Sequence, residues 1–177
     1  MGLNQQILSI PAKDFKKLLK YGTRSDTMGK YKAKELIYYP YRFVKETLPN
    51  HLSSGEFEQT LTYLFKISKP HKIKPQKVLP LILWLYDGLK RIGEIEKEFL
   101  SSTPEPDMVN AGIETLNELG EFNTIDMLVK EWGVYTHEQI WEMPYEKIFE
   151  KQRKMKLEND IQRNLLRIQK QKSKSKF

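Results

Sequence analysis

The most apolar stretch of the chain, residues 78–99, predicts a buried helix around which the other elements pack. Its apolar residues recur at spacings of three, four and seven positions, which places them on one helix face: Val78, Ile82, Leu85, Leu89, Ile92 and Phe99. Four more residues widen this stripe in the first two turns: Leu79, Leu81, Leu83 and Trp84. A helix that is apolar on nearly every side must be buried.

Weaker patterns predict the elements before this helix. Pro11 suits a first helical position and Gly22 an end, with a polar surface loop over residues 23–30. Residues 53–56 are typical of a helix start and precede a second apolar face: Phe57, Leu61, Leu64 and Phe65. Residues 68–77 predict an extended linker because they contain two prolines.

Three- and four-residue spacings continue after the central helix. They predict helical structure over residues 108–132, as one helix or as two joined near Gly120, with Gly133 as the stop. Thr136 and Gln139 have the spacing of a capping box and predict a short helix.

The final predicted helix, from Pro144 to Lys170, changes character along its length. Its first turns carry an apolar face, and a second, narrow stripe follows at Ile161, Leu165 and Ile168. A rod of about 40 Å cannot bury that distal stripe on its own body, so the stripe predicts a partner helix, most simply from a second copy. Residues 172–177 are expected to be disordered unless bound.

Charge divides the chain into a basic, an acidic and a basic block. Residues 1–77 have a net charge of +9, residues 78–149 of −9 and residues 150–177 of +7. The acidic centre is expected to attract the basic ends of the same chain or of a neighbouring copy in a salt-dependent way. Alternatively, the blocks are three solvated surfaces of different composition.

Aromatic and cationic residues alternate over residues 31–45, and this pattern has three interpretations. The tyrosines can cover the core, form a protein interface or bind single-stranded nucleic acid. The candidate interface residues are Tyr38, Tyr39, Tyr41 and Arg42, together with Ile161, Leu165 and Ile168 of the last helix.

Lysine and arginine side chains give a second hypothesis, non-specific contact with nucleic acid. The candidates are Lys72, Lys74, Lys77, Arg163, Arg167, Lys170, Lys172 and Lys174. The lysine-rich segment 68–77 could follow a DNA backbone or the acidic middle of the same fold, and we favour the second. A helix-turn-helix interpretation of residues 125–143 is disfavoured because its recognition helix would be acidic.

No pattern indicates catalysis, and we expect neither an enzyme nor a cofactor or metal site. Gly22 and Gly29 lack the spacing of a phosphate-binding loop, and the chain has no cysteine. The histidines are isolated: His51, His71 and His137. Three glutamates, Glu94, Glu96 and Glu98, are interpreted as solvating the central helix.

The apolar segments do not predict membrane insertion. The longest run, residues 78–86, contains Pro80 and is far shorter than the roughly 20 residues of a membrane span. The first residues lack the pattern of a signal peptide, so a soluble protein is expected.

Two segments resemble a known group of proteins. The run GIETLNELGEFNTIDML at 112–128 and the run WEMPYEKIF at 141–149, followed by a charged terminal helix, resemble small helical structural proteins of tailed bacteriophages. The similar groups are head–tail connector or ring proteins and tail-assembly chaperones. The resemblance implies a virion component made in the host cytoplasm, with copies of itself and other virion proteins as partners.

These patterns together predict an all-α protein. We expect a basic N-terminal region over 1–52, a helical core over 53–149 and a protruding basic helix and tail over 150–177. The expected function is that of a non-enzymatic, homo-oligomeric component of a phage particle. The alternatives are a tail-assembly chaperone and a nucleic-acid-binding accessory protein.

Overall fold

The computed structural model describes residues 12–28, 31–67, 69–101, 109–110, 115 and 118–174, which are mostly helical. This confirms the predicted all-α class. Its α-helices include α1 (Ala12–Tyr21), α2 (Leu48–Ser54), α3 (Phe57–Phe65), α4 (Pro75–Leu100), α5 (Glu121–Trp132), α6 (His137–Trp141) and α7 (Tyr145–Lys174). Short 3₁₀ turns occur at Leu36–Tyr38 and Pro70–Lys72, and a π-helical segment, Phe43–Thr47, runs into α2.

The predicted central helix is confirmed as α4, which also includes Pro75 to Lys77 and extends to Leu100. Most of its predicted stripe lies in the core, with Val78, Ile82 and Leu85 almost fully buried, whereas Phe99 at its end is 36% exposed. Another element comes very close at Gly88, where an added Cβ would lie 2.6 Å from Leu36 Cδ1. The small residue lets the first 3₁₀ turn pack directly on α4.

The hydrophobic core begins before residue 53. Residues from the basic N-terminal region belong to the same buried cluster as α4: Leu36, Tyr41, Phe43, Val44, Leu48 and Leu52. The described part of that region therefore contributes to the core as well as lying across it. The apolar residues of α3, α5, α6 and the start of α7 complete the cluster.

The helix start predicted at residues 53–56 is confirmed, since α3 begins at Phe57 with Glu56 at its N-cap, although Ser53 and Ser54 belong to the end of α2 and Gly55 caps that helix at φ 78°. The apolar face predicted for α3 is buried: Phe57, Leu61, Leu64 and Phe65. Two other local predictions for the N-terminal half were wrong. The loop over 23–30 contains the strand β1 (Thr27–Met28), which pairs antiparallel with β2 (Tyr31–Lys32). The linker 68–77 is not extended throughout, since it holds a 3₁₀ turn and the start of α4. Pro11 lies outside the described residues.

The stops and caps predicted for the C-terminal half are confirmed. Gly120 (φ 51°) precedes α5 and Gly133 (φ 67°) ends it, so residues 108–132 do not form one continuous helix. Thr136 and Gln139 form the capping box of α6. Helix α7 continues to Lys174, so the first residues of the expected disordered tail are helical. Residues 102–108, 111–114, 116–117 and 175–177 lie outside the described part of the chain.

Candidate functional site

Helix α7 is fixed to the body by its first turns. The backbone N–H of Tyr145 donates to the carbonyl of Tyr39 at 2.9 Å, and the N–H of Tyr41 donates to that of Met143 at 2.8 Å. These bonds form a short bridge between the N-terminal region and the start of α7. Ile148 is fully buried and Tyr145 is 2% exposed, so this end of the helix belongs to the core.

A polar cluster lies beside this anchor and joins four segments of the chain. Lys45 Nζ lies 2.9 Å from Glu96 Oε1 and 3.0 Å from Glu121 Oε1. The phenol of Tyr145 donates to Glu96 at 2.7 Å, and that of Tyr41 donates to Glu121. Sequence reasoning missed this cluster and assigned Glu96 to solvent. The signal was its position four residues after Ile92, on the buried face of α4.

The two phenols and the ammonium group of the cluster have raised pKa values and stay protonated. Burial and the two carboxylates raise the pKa of the Tyr41 and Tyr145 phenols, which therefore remain donors. Burial lowers the pKa of the Lys45 ammonium, but Glu121 and Glu96 outweigh it, so the pKa lies above its usual value. Because these groups satisfy one another, their arrangement serves as a structural lock between elements rather than as an acid–base site.

The candidate interface residues around Tyr41 divide into core and surface. Tyr41 is 1% exposed, which contradicts its assignment to an interface. Its ring stacks on Tyr145 at 5.8 Å. Tyr39 is half-buried with its ring 5.4 Å from Phe43, whereas Tyr38 remains 50% exposed. The predicted interface here shrinks to Tyr38 and part of Tyr39 and Arg42.

Arg42 binds within its own chain. Its guanidinium donates to both carboxylate oxygens of Glu138, at 2.8 and 2.7 Å, and lies 5.5 Å from the centre of the Trp141 ring. Both partners belong to α6, the recognition helix of the disfavoured helix-turn-helix interpretation. Helix α6 spans five residues and its Glu138 is neutralised internally, so its position gives no support to DNA recognition.

The distal half of α7, residues 157–174, has a different surface. Five large apolar side chains are about half exposed there: Leu157 54%, Ile161 57%, Leu165 47%, Leu166 56% and Ile168 47%. The predicted stripe of Ile161, Leu165 and Ile168 is therefore exposed, and Leu157 extends it by one turn. We call these four residues the distal stripe; Leu166 is not part of it.

The distal stripe points away from the side of α7 that packs on the body. At about 100° per residue, Leu157 lies roughly 180° round the helix from the buried Ile148, and Ile168 roughly 200°. The stripe is therefore not a frayed continuation of the core-facing side. Leu166 lies about 180° from Leu157.

Cations lie beside the core-facing side of α7 in the distal half. Arg163, Arg167 and Lys170 lie roughly 220–280° round from Leu157, near Tyr145 at about 240°, while Leu166 lies in line with Ile148 at about 180°. Arg163 pairs with Asp160 at 2.8 Å, while Arg167, Lys170 and Lys172 are exposed. A cationic surface gains nothing from packing against an apolar core. The side chain of Lys174 lies outside the described set.

The prediction that the lysine-rich segment follows the acidic middle of the fold was wrong. Lys72, Lys74 and Lys77 are exposed, and none forms an ion pair with an acidic residue in the described ranges. Other cations do cross to the acidic block, among them Arg24, which binds Asp87 at 2.6 Å, and Lys151, which binds Glu131 at 2.8 Å. The predicted attraction between blocks is thus limited to a few specific pairs.

The histidines have structural surroundings. Nδ1 of His51 lies 3.0 Å from the hydroxyl of the buried Thr60. His137 stacks on Phe122 and lies 3.6 Å from Asp126. The side chain of His71 is outside the described set. Among the described residues, no group of three His, Asp or Glu could hold a metal ion.

The described helices also lack a membrane span, since none combines the necessary length with sufficient hydropathy. Comparisons with known proteins add no relative: no family model, no curated protein and no solved structure matches the chain.

Proposed function

We propose that this chain is a non-enzymatic assembly protein that works through protein–protein contacts, as a structural component of a tailed-phage particle. The observation that carries the proposal is the distal stripe, an apolar surface on a helix that has left its own body. Contiguous exposed apolar surface of this kind marks an interaction site. The phage setting, as a head–tail connector, ring or tail protein, rests on the sequence resemblance.

The partner that best fits the distal stripe is a second copy of the same helix. Two stripes can meet face to face over residues 157–168 because Arg163, Arg167 and Lys170 lie on the other side of each helix. Lys172 lies on the side of the stripe, one turn beyond Ile168. The distal half, at about 27 Å, gives the contact several turns. The anchored first turns also hold the helix in place, which lowers the entropy cost of association.

Light scattering of the purified protein across a salt series, from about 50 to 500 mM, tests this proposal. We expect the wild-type mass to be a multiple of the 21.0 kDa chain. Ile161→Asp with Leu165→Asp should reduce it to the monomer, because the charges would be buried between stripes. Leu166→Asp is the matched control on another side of the helix and should leave the oligomer intact.

Two results would contradict the proposal. A wild-type monomer at every salt concentration would leave the distal stripe without a self-partner, and a tail-assembly chaperone or a docked accessory protein would then explain the chain better. Equal dissociation by Leu166→Asp and by the stripe variants would show that α7 associates through no particular face.

A further inference from the structure

Five exposed lysines connect the end of α3 to the start of α4: Lys66, Lys69, Lys72, Lys74 and Lys77. We call them the lysine surface. No acidic residue occurs between Glu58 and Asp87 in the sequence. None of the five forms an ion pair with a described acidic residue. The surface is therefore a concentration of positive charge that no ion pair with a described carboxylate neutralises, although Glu58 lines the groove beside Lys66.

Neighbouring cations of the same basic block are neutralised internally. Arg24, Arg42 and Lys45 each pair with carboxylates of the acidic block. Carboxylates of the acidic block thus pair with these three cations, whereas the lysine surface is exposed to solvent. Like charges held together repel one another and disfavour the compact state, so an external anion would stabilise this arrangement.

The backbone adds to this positive field. Helix α4 is 26 residues long, has Lys74 at its N-cap and has no acidic residue in its first turn. The partial positive charge of a helix N-terminus is usually matched by Asp or Glu, whereas here Lys72, Lys74 and Lys77 surround it. The field of the helix and the lysines therefore act in the same direction.

Lys66 occupies a backbone conformation that favours glycine. It ends α3 at φ 53°, whereas the equivalent left-handed positions after α2 and α5 are Gly55 and Gly133. The left-handed conformation is unfavourable for a residue with a Cβ. At Lys66 it directs the ammonium over the ring of Tyr63, 5.2 Å from the ring centre.

Tyr63 gives the lysine surface an aromatic edge. It is 39% exposed and lines an open groove of about 730 Å³ together with Glu58, Gln59, Thr62, Lys66, Ile67 and Pro70. Its ring is supported from behind by Phe43, with ring centres 4.5 Å apart. An exposed ring beside lysines is the combination with which proteins hold single-stranded nucleic acid, through base stacking and phosphate contacts.

We propose that the lysine surface binds the phosphate backbone of single-stranded nucleic acid, with a base against Tyr63. This activity goes beyond the assembly role and uses a surface separate from the distal stripe. Experiments can therefore support or contradict nucleic-acid binding and stripe pairing independently of each other. The Ile161→Asp, Leu165→Asp variant should lose the oligomer and still bind a short oligonucleotide through each copy.

The test is fluorescence anisotropy with a labelled single-stranded oligonucleotide of about 20 bases. Five phosphate contacts give a logarithmic salt slope of about −3.5, so affinity should fall about 100-fold between 50 and 200 mM salt. Lys69→Gln, Lys72→Gln and Lys74→Gln together should make the slope shallower by about two. Tyr63→Leu should weaken single-stranded binding about 5- to 100-fold and duplex binding less.

A charge-matched control separates this surface from the overall positive charge. Lys16→Gln, Lys17→Gln and Lys97→Gln remove the same charge from exposed sites elsewhere and should keep affinity within about threefold of wild type. The proposal is overturned if this control loses as much affinity as the first triple variant. It is also overturned if Arg163→Gln, Arg167→Gln and Lys170→Gln account for the binding, or if poly-glutamate binds as tightly as the oligonucleotide.

Discussion

The two halves of helix α7 have opposite relations to the rest of the molecule. In the proximal half Ile148 is fully buried, whereas in the distal half Ile161, the same residue type on the same helix, is 57% exposed. The buried side of the proximal half continues as a side that carries Leu166 with Arg163, Arg167 and Lys170 beside it, while a new apolar stripe arises about 180° away. One continuous helix therefore contains a part that stabilises the monomer and a part available for a partner.

The comparison shows why an apolar pattern alone does not identify core. Both halves carry isoleucine and leucine at helical spacing, and only their phase around the helix separates them. In the proximal half the apolar side chains point towards the core, and the cluster around Lys45, Glu96 and Glu121 strengthens this attachment. In the distal half the apolar stripe points away from the core.

The largest expected difference between the halves is in stability. Ile148→Ala should lower the free energy of unfolding by about 2–5 kcal/mol because it opens a cavity in the core. Ile161→Ala should change it by less than about 0.5 kcal/mol in the monomer. Urea unfolding followed by circular dichroism measures both, with Ile161→Ala studied at concentrations where the chain is monomeric. Equal losses would erase the distinction between the halves.

The polar cluster should contribute the next largest effect to the proximal anchor. Lys45→Met leaves Glu96 and Glu121 without their shared cation and should cost about 1–3 kcal/mol, less than a fully buried pair because water reaches the cluster. Lys97→Met, an exposed site on α4, is the control and should cost less than about 0.5 kcal/mol. A similar loss in both variants would mean that the cluster does not hold α7 in place.

A single hydroxyl tests the same anchor more finely. Tyr145→Phe keeps the ring stacked on Tyr41 and removes the hydrogen bond to Glu96, so it should cost about 1–2 kcal/mol. Tyr38→Phe alters a phenol on a half-exposed ring and should be neutral within about 0.5 kcal/mol. Chemical denaturation distinguishes the two, and a neutral Tyr145→Phe would contradict the role assigned to its hydroxyl.

The smallest expected effect is a loss of stability at acidic pH. The hydrogen bonds from Arg42 hold the pKa of Glu138 below its ordinary value of 4.5. The folded state therefore binds fewer protons there than the unfolded state, so this contribution is present above pH 4.5 and is lost as the pH falls through the lowered pKa. The melting temperature of wild type should fall more between about pH 5 and pH 3 than that of Arg42→Gln. An identical fall would show that the pair adds nothing to stability.

Local rules predicted much of this fold. Spacing located α4, and glycine and capping chemistry located the ends of α5 and α6, because these signals act over a few residues. The Lys45 cluster could not be predicted, since Lys45 and Glu96 lie far apart in sequence and only the tertiary fold brings them together. Tyr41 was misassigned for the same reason: its aromatic neighbours suit a surface or a core equally well. The exposure of the distal stripe was predictable from the length of the helix, because so long a helix extends beyond the domain on which its first turns pack.

Cysteine cross-linking tests the pairing of distal stripes between copies, because the chain itself contains no cysteine. Leu165→Cys and Leu166→Cys place single thiols on adjacent, similarly exposed positions, with only Leu165 in the distal stripe. Under mild oxidation, non-reducing electrophoresis should show Leu165→Cys as a disulfide-linked dimer and Leu166→Cys mainly as monomer. Equal cross-linking of the two would contradict the pairing of distal stripes between copies. So would the absence of a cross-link both for Leu165→Cys alone, as in a parallel pair, and for a mixture of Ile161→Cys and Leu165→Cys chains, as in an antiparallel pair.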